Sequence, residues 1–514
     1  MSPLKALFVI LVVRLSAVFI IQTSFVPDEY WQSLEVAHYM IYNYGYITWE
    51  WKEGIRSCLY PSLIAVIYKV LYWMNLDSVD NLILMPRVLQ ALISSVSDFC
   101  LWLWLCREIK TSGGVALFSI AIPWFWFYCC SRTLSNTLET SLTAMALYFF
   151  PWKNNKSRSI SGSTSFLWFV GLACILRPTA AILWIPLCIY HILSASRNFV
   201  TVICREYLFI GAIYIVVSAV VDSFFYKHLI FTPFNFMYFN VIQNVGKFYG
   251  THPAHWYLTS GLPVVIGAHL IPFFASCGRF VIIPLFRYHF YKIKPPLFQY
   301  QYQKIMFLCV VSITWTLSVY SCLPHKEFRF ILPVLPMVLF ISYIWLIYFH
   351  KTAHRFVIVL LDLVLLCGAV IPSLYLGTVH QCGTRVVMQE LASDAIHDPH
   401  HTDILFLMPC HSTPLYSHLH VNVSTRFLTC DPFHKGDRDE ADEFYESPVP
   451  WLVTYFRNHS SPSHIIIYDK LYPNVSNFLL SRNYSVSLCI FHAHIVEGRV
   501  GNYIYILQQN LQEK

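Results

Sequence analysis

Two stretches of this sequence concentrate groups able to move a proton or hold an anion. The first reads Val26-Pro27-Asp28-Glu29-Tyr30-Trp31-Gln32-Ser33-Leu34-Glu35, followed by Thr48-Trp49-Glu50-Trp51 and Arg56-Ser57. Pro27 suits the first position of a helix, and at helical spacing Asp28, Gln32, Glu35 and Tyr39 share one face. This pattern predicts a helix lying on a membrane surface. Adjacent carboxylates point about 100° apart on a helix, so only one of Asp28 and Glu29 addresses a given reacting centre. The shorter, stiffer Asp28 is the candidate general base, with Glu29 orienting a neighbour or binding hydroxyls. Trp31, Gln32, Glu35, Trp49, Glu50, Trp51 and Arg56 are candidate substrate contacts. A plainer reading competes: acids in a first turn stabilise the helix dipole, and Trp collects at membrane interfaces.

The second stretch is Pro324-His325-Lys326-Glu327-Phe328-Arg329-Phe330. Three cationic or protonatable groups in five positions suit a phosphate at headgroup depth, Arg offering a planar fork and Lys a point charge. His325, Lys326 and Arg329 are therefore candidate phosphate ligands, against the alternative of ordinary headgroup anchoring. Asn240 and His252 lie among Phe and Tyr residues in segments 234–240 and 248–257, a mixture suited to sugar rings and hydroxyls. His252 and His255 lack the HExxH or carboxylate companions of a metal site, so no metal is expected.

These residues need elements to hold them. Of the 514 residues, 56% are hydrophobic and only 12% charged, with a mean hydropathy of +0.51. One buried core does not accommodate that much apolar surface, which excludes a soluble single domain. The net charge of +7 is modest for this length, and no basic arm supports nucleic-acid binding. Apolar runs occur near 4–24, 58–75, 82–106, 115–130, 134–152, 166–194, 203–228, 257–277, 304–323, 331–349 and 356–377. They predict a polytopic α-helical protein with about 11 to 13 crossings. The first run lacks a small-residue cleavage site and carries Arg14, so it is expected to remain as an anchor.

Basic loops at Lys153, Lys156 and Arg158, at Arg279, Arg287, Lys292 and Lys294, and at Lys351 and Arg355 are assigned to the cytosol. Loop 25–57 and the segments 131–139, 229–256, 324–330 and 378–514 then face the opposite compartment. A cytosolic Arg107 and Lys110 would require an odd number of crossings between 58 and 106, where two apolar runs stand. Arg132, Glu139, Arg177, Asp98 and Asp222 fall in or beside apolar segments, where ionisable groups need partners.

A module over 1–377 is thus expected to precede a tail over 378–514. The tail carries four N-x-S acceptors, Asn422, Asn458, Asn474 and Asn483, and four of the 16 cysteines, Cys382, Cys410, Cys430 and Cys489. Together they favour a luminal domain held by at least one disulfide, with Asn155, in a basic loop, left bare. Alternation at 464–468 and 503–507 predicts strands of a small α/β unit.

Several of these stretches, taken together, resemble the lipid-linked mannosyltransferases of glycosyltransferase family 22. The matching pieces are Pro27 to Glu35, Thr48-Trp49-Glu50-Trp51 with Arg56-Ser57, Arg132-Thr133-Leu134-Ser135-Asn136, Leu176-Arg177-Pro178-Thr179-Ala180, Phe248-Tyr249-Gly250-Thr251-His252-Pro253 and His325-Lys326-Glu327-Phe328-Arg329-Phe330. Pro27-Asp28-Glu29-Tyr30-Trp31-Gln32 and Met408-Pro409-Cys410-His411-Ser412-Thr413-Pro414 resemble the member that builds glycosylphosphatidylinositol anchors. The resemblance implies a GT-C fold in the endoplasmic reticulum membrane with a luminal active site. It also implies dolichyl-phosphate mannose as donor and an α1,2-linked third mannose placed on the glycosylphosphatidylinositol precursor lipid. A β-linked donor and an α-linked product would make the reaction an inverting single displacement, with no cofactor and no metal. The alternatives are the α1,2-mannosyltransferase of dolichol-linked N-glycan assembly, or a transporter, for which the halves show no internal repeat.

Overall fold

A computed structural model describes residues 1–109, 113–152, 164–195, 199–284, 286, 301–432 and 439–510. Lys110, Lys153, Asn155, Lys156, Arg158, Arg287, Lys292 and Lys294 lie outside the described residues. The chain forms two compact units, one of Met1–Phe19, Glu53–Tyr60 and Arg87–Ser373, the other of Ile20–Lys52, Pro61–Pro86 and Leu374–Lys514. Residues 20–52 and 61–86 therefore fold with the tail, although they precede most of the apolar helices in sequence.

Every apolar run becomes helix, because a backbone in hydrocarbon must satisfy its hydrogen bonds within its own segment. Seven helices among the described residues are long and apolar enough to cross a membrane by length and composition, and three shorter apolar helices accompany them. This is fewer than the runs themselves, and the reason is local chemistry. The 115–130 run breaks at Pro123 into Gly113–Ala121 and Trp124–Cys129. The 166–194 run breaks into Ser165–Leu176 and Ala180–Ser194. Pro178 drives the second break: the residue before a proline is pushed out of the helical region, and Arg177 has φ −144° and ψ 104°. Leu59–Trp73 has 15 residues, about 22 Å of helix against a hydrocarbon core of about 30 Å. Between 58 and 109 only Val79–Ile109 is long enough to cross a membrane by length and composition.

Within the first unit the Leu335–Thr352 helix is buried on nearly every side, as expected of an all-apolar helix at a bundle centre. Phe199–Tyr226 instead leaves Val216, Val220 and Phe224 exposed, a surface suited to lipid. Arg14, conspicuous in the first run, is buried with Nε 2.5 Å from Asp98 Oδ2 and Nη2 donating to the Ile120 carbonyl. Trp126 Nε1 donates to the other Asp98 oxygen at 2.9 Å. An ion pair completed by neutral donors is the form in which buried charge is tolerated.

In the second unit the tail forms a five-stranded sheet: β1 Asp403–Phe406, β2 Ser424–Phe427, β3 His464–Tyr468, β4 Tyr484–Phe491 and β5 Tyr503–Gln509. The order is β2-β1-β3-β5-β4, with β1 parallel to β2 and β3, and β5 antiparallel to β3 and β4. The strands expected at 464–468 and 503–507 are β3 and β5. All five residues of β3 are buried, which fits a strand covered on both faces. Leu405, Ile465, Ile467 and Leu507 form one core with Phe444, Leu452 and Leu479 of the flanking helices, while the Gly383–His397 helix packs on β4 and β5.

Candidate active site

Residues 28–42 of the second unit form a continuous helix whose first turn is closed by the carbonyls of Val26 and Pro27, accepting from Glu29, Tyr30 and Trp31. The start matches the Pro27 signal, but the predicted face does not survive. A π turn over Tyr30–Leu34 inserts one extra residue, rotating the later turns of the helix by roughly 100°. Gln32 donates to Glu50 Oε2 at 3.1 Å, Glu35 is directed at residues 415–417, and Tyr39 is exposed. The helix does not lie on a surface either: Tyr30, Trp31 and all of 33–38 are buried, because the tail covers it.

Of the two adjacent carboxylates, Glu29 is 4% exposed and Asp28 is only half-buried. Asp28 is thus the more accessible to a substrate hydroxyl. Trp31, Trp49 and Trp51 are buried, so these indoles pack protein and do not anchor an interface. Trp51 Nε1 donates to the Trp31 carbonyl at 3.2 Å, and Trp31 Nε1 to the Thr413 carbonyl at 3.0 Å. Glu35, expected to contact substrate, is 1% exposed and accepts from the backbone of Leu415 and Ser417 and from Ser417 Oγ. Burial pushes its carboxyl above the ordinary range, while these hydrogen bonds act in the opposite direction.

The expected tail disulfide is Cys410–Cys430. Between its cysteines His411 adopts φ 58°, and its ring centre lies 4.6 Å from that of Trp31. The two rings line a small hollow with Met408, Thr413 and Phe427. Burial lowers His411 to about 4 against the opposing pull of the Asp28 charge, so the imidazole is neutral at neutral pH. Cys410, His411 and Cys430 cluster closely enough to suggest a metal, but disulfide sulfurs offer no thiolate. The Met408 to Pro414 motif was the signal in the sequence; its contact with Trp31 was not visible there.

In the first unit, segments 250–253 and 323–327 are laced together. The Pro324 carbonyl accepts from His252 N at 3.0 Å, and Lys326 Nζ donates to the carbonyls of His252, at 2.9 Å, and Leu323. Lys326 is 3% exposed, and burial draws its ammonium below the ordinary lysine value. Its hydrogen bonds therefore hold the loop closed. Gly250, with φ +109°, accepts from His325 Nδ1 at 3.3 Å, in a backbone conformation that favours glycine. Arg329 grips Glu327 through Nε and Nη2 at 2.7 and 2.6 Å, with His325 Nε2 at 3.1 Å from the same carboxylate. Burial works to raise the Glu327 carboxyl, but the Arg329 charge and the bonds from His325 and Arg329 hold it well below the usual range.

Arg329 has company. The guanidinium carbons of Arg177 and Arg329 lie 5.8 and 5.5 Å from the ring centre of Phe330. Arg177 also feels the like charge of Arg56 and Arg329 and is paired with Glu139 at 3.0 Å. The Arg56, Arg177 and Arg329 guanidiniums thus gather near the carboxylates of Glu139 and Glu327. Arg56 is placed by its flanks: its carbonyl accepts from Tyr226 Oη at 2.8 Å, and Asp222 receives Ser57 Oγ and Cys58 N at 3.0 and 2.9 Å. Ser218 and Thr232 complete the Asp222 shell. Asp222 stood out in sequence as an acid in an apolar run, but its partners come from three separate segments. Of the other expected contacts, Asn240 Nδ2 donates to the Phe236 carbonyl of its own helix, and His252, in the laced segment, has an exposed ring stacked on Trp256. Asn235, an amide of the same aromatic segment, donates to the carbonyls of Glu53 and Gly54.

Residues 5–420 match the model of the Alg9-like mannosyltransferase family. The chain is 42% identical to GPI mannosyltransferase 3 of Drosophila melanogaster, over 96% of this chain and 85% of that one. It is 43% identical to GPI alpha-1,2-mannosyltransferase 3 of Danio rerio, over 98% and 90%, and 41% identical to that of Homo sapiens, over 98% and 86%. Among solved structures, ArnT from Cupriavidus metallidurans bound to undecaprenyl phosphate superposes with a TM-score of 0.57 at 12% identity, covering 98% of this chain and 97% of that one. At that identity the likeness is one of fold, the GT-C fold. With a family model over most of its length and relatives above 40% identity end to end, this multi-pass membrane protein belongs to the Alg9-like mannosyltransferase family.

Proposed function

We propose that this chain transfers mannose in α1,2 linkage to a glycosylphosphatidylinositol precursor, as its third mannose, from dolichyl-phosphate mannose in the endoplasmic reticulum membrane. The observation that carries the reading is the near full-length identity to relatives named GPI alpha-1,2-mannosyltransferase 3. In the mechanism Asp28 removes the proton from the acceptor hydroxyl, which attacks the anomeric carbon as the bond to the phosphate oxygen breaks. The configuration inverts in one displacement, and no covalent enzyme intermediate forms. Negative charge develops on the departing lipid phosphate, and preorganised cations stabilise charge that grows in the transition state. The gathering of the Arg56, Arg177 and Arg329 guanidiniums supports that assignment. Lys326 holds the loop that presents Arg329. This chemistry calls for no metal or cofactor, since base and charged groups supply both ends of the displacement.

The active site and the tail are assigned to the lumen, with Asn422, Asn458, Asn474 and Asn483 glycosylated; all four are exposed. The test is transfer by the purified chain from radiolabelled dolichyl-phosphate mannose to a glycosylphosphatidylinositol acceptor carrying two mannoses. The labelled sugar is expected to be released by an α1,2-specific mannosidase. Labelling of a dolichol-linked N-glycan precursor in place of that acceptor would move the chain to the alternative acceptor, and no transfer to either would refute the reading.

A further inference from the structure

The tail touches the carboxylate helix in a distinctive way. Trp31 Nε1 donates to the Thr413 carbonyl, and Glu35 accepts from Leu415 N at 2.8 Å, Ser417 N at 3.2 Å and Ser417 Oγ at 2.5 Å. Tyr30 meets His418 edge to face at 5.3 Å, His38 Nε2 lies 3.1 Å from His420 Nδ1, and Trp31 packs on Phe427 at 5.4 Å. Each of these tail partners lies between Cys410 and Cys430, inside the loop that the disulfide closes. Apolar packing alone leaves a helix able to turn about its axis. A buried carboxylate, costly to desolvate, gives directional bonds that fix the rotation.

The π turn over Tyr30–Leu34 contains Trp31 and ends one residue before Glu35, so it lies where these two anchors act. Such turns persist when the surroundings over-determine them and occur often at functional sites. Relaxation to a regular α-helix would rotate Asp28 by roughly 100° relative to the helix beyond the turn.

We propose that the disulfide-closed loop 410–430 is a splint for this helix, and that Trp31 and Glu35 are positioning residues that hold the π turn and thereby set the direction of Asp28. This rests on Asp28 being the base. The test uses the full chain in lipid nanodiscs with dolichyl-phosphate mannose and the glycosylphosphatidylinositol acceptor, comparing Glu35→Gln and the paired Cys410→Ser, Cys430→Ser variant with the parent. Turnover is expected to fall about 10- to 100-fold, the loss that a misdirected catalytic group produces, with the donor KM unchanged within about twofold. Amide hydrogen exchange over 30–38 should accelerate in both variants.

Unaltered exchange in both variants overturns the splint, and so does accelerated exchange with normal turnover. Asp28→Asn is measured in parallel. If it keeps normal turnover while the two variants lose it, the base assignment is wrong, and the splint stands as serving another group on the same helix.

Discussion

Asp28 and Glu29 are neighbours in sequence with different surroundings, the first half-buried and the second almost wholly enclosed. Exchange of Asp28 for Asn keeps the shape and removes the basicity, so mannosyl transfer is expected to fall by about 10² to 10⁴ with normal protein abundance. Glu29→Gln is expected to act through packing, with a smaller loss; the reverse ranking would exchange the two roles. At Arg329 the fork matters as well as the charge. Arg329→Lys keeps one and loses the bidentate grip on Glu327, so turnover should drop at least about tenfold despite an unchanged net charge. A full-rate Arg329→Lys enzyme would remove the loop from the phosphate assignment. Asp222 gathers donors from Ser57, Cys58, Ser218 and Thr232. Asp222→Ala leaves a buried backbone N–H without its acceptor, at a cost of about 1–3 kcal/mol. It should lower the aggregation temperature of the detergent-solubilised protein together with transfer, and an unaltered temperature would show that Arg56 is held by other means.

Among the elements, the helices arise directly from composition, and their ends from proline. Pro178 turns one long apolar run into two helices and frees Arg177 to reach Glu139 and Phe330. The second unit carries a consequence of burying imidazoles. Burial lowers His38 to about 3, aided by the nearby His420, and His411 and His492 to about 4. The unfolded chain titrates these groups near 6.5, so between about pH 6.5 and 4 it binds more protons than the folded one. The unit is therefore fully stabilised by these groups above about pH 6.5 and loses that stability as the pH falls toward their folded values. Amide protection over β1, β3 and β5, corrected for intrinsic rates, should be lower at pH 5 than at pH 7, and equal protection would contradict the buried neutral imidazoles.

For the whole molecule the decisive question is which compartment receives the tail. The four acceptor asparagines are exposed, and one disulfide links Cys410 to Cys430. With a luminal tail, glycosidase digestion should increase gel mobility, and joint replacement of Asn422, Asn458, Asn474 and Asn483 should abolish the shift. A tail digested by protease outside sealed microsomes would invert the orientation and, with it, the luminal assignment of Asp28.

Much of this molecule was legible in the residues themselves. Apolar runs determine helices because lipid leaves the backbone no other partner. The Pro27 helix start, the break at Arg177-Pro178 and the β3 and β5 strands are local consequences of residue type and period. What the sequence left open depends on partners far apart along the chain. Trp31 and Thr413 are 382 residues apart, and no periodicity announces that an indole N–H of one will meet the carbonyl of the other. For the same reason the π turn, the pairing of Cys410 with Cys430 and the diversion of Lys326 to backbone carbonyls emerged only from tertiary structure. A side chain's chemistry is set by its type, but whether it faces a substrate or secures a loop is decided by the groups that folding brings within about 3 Å of it.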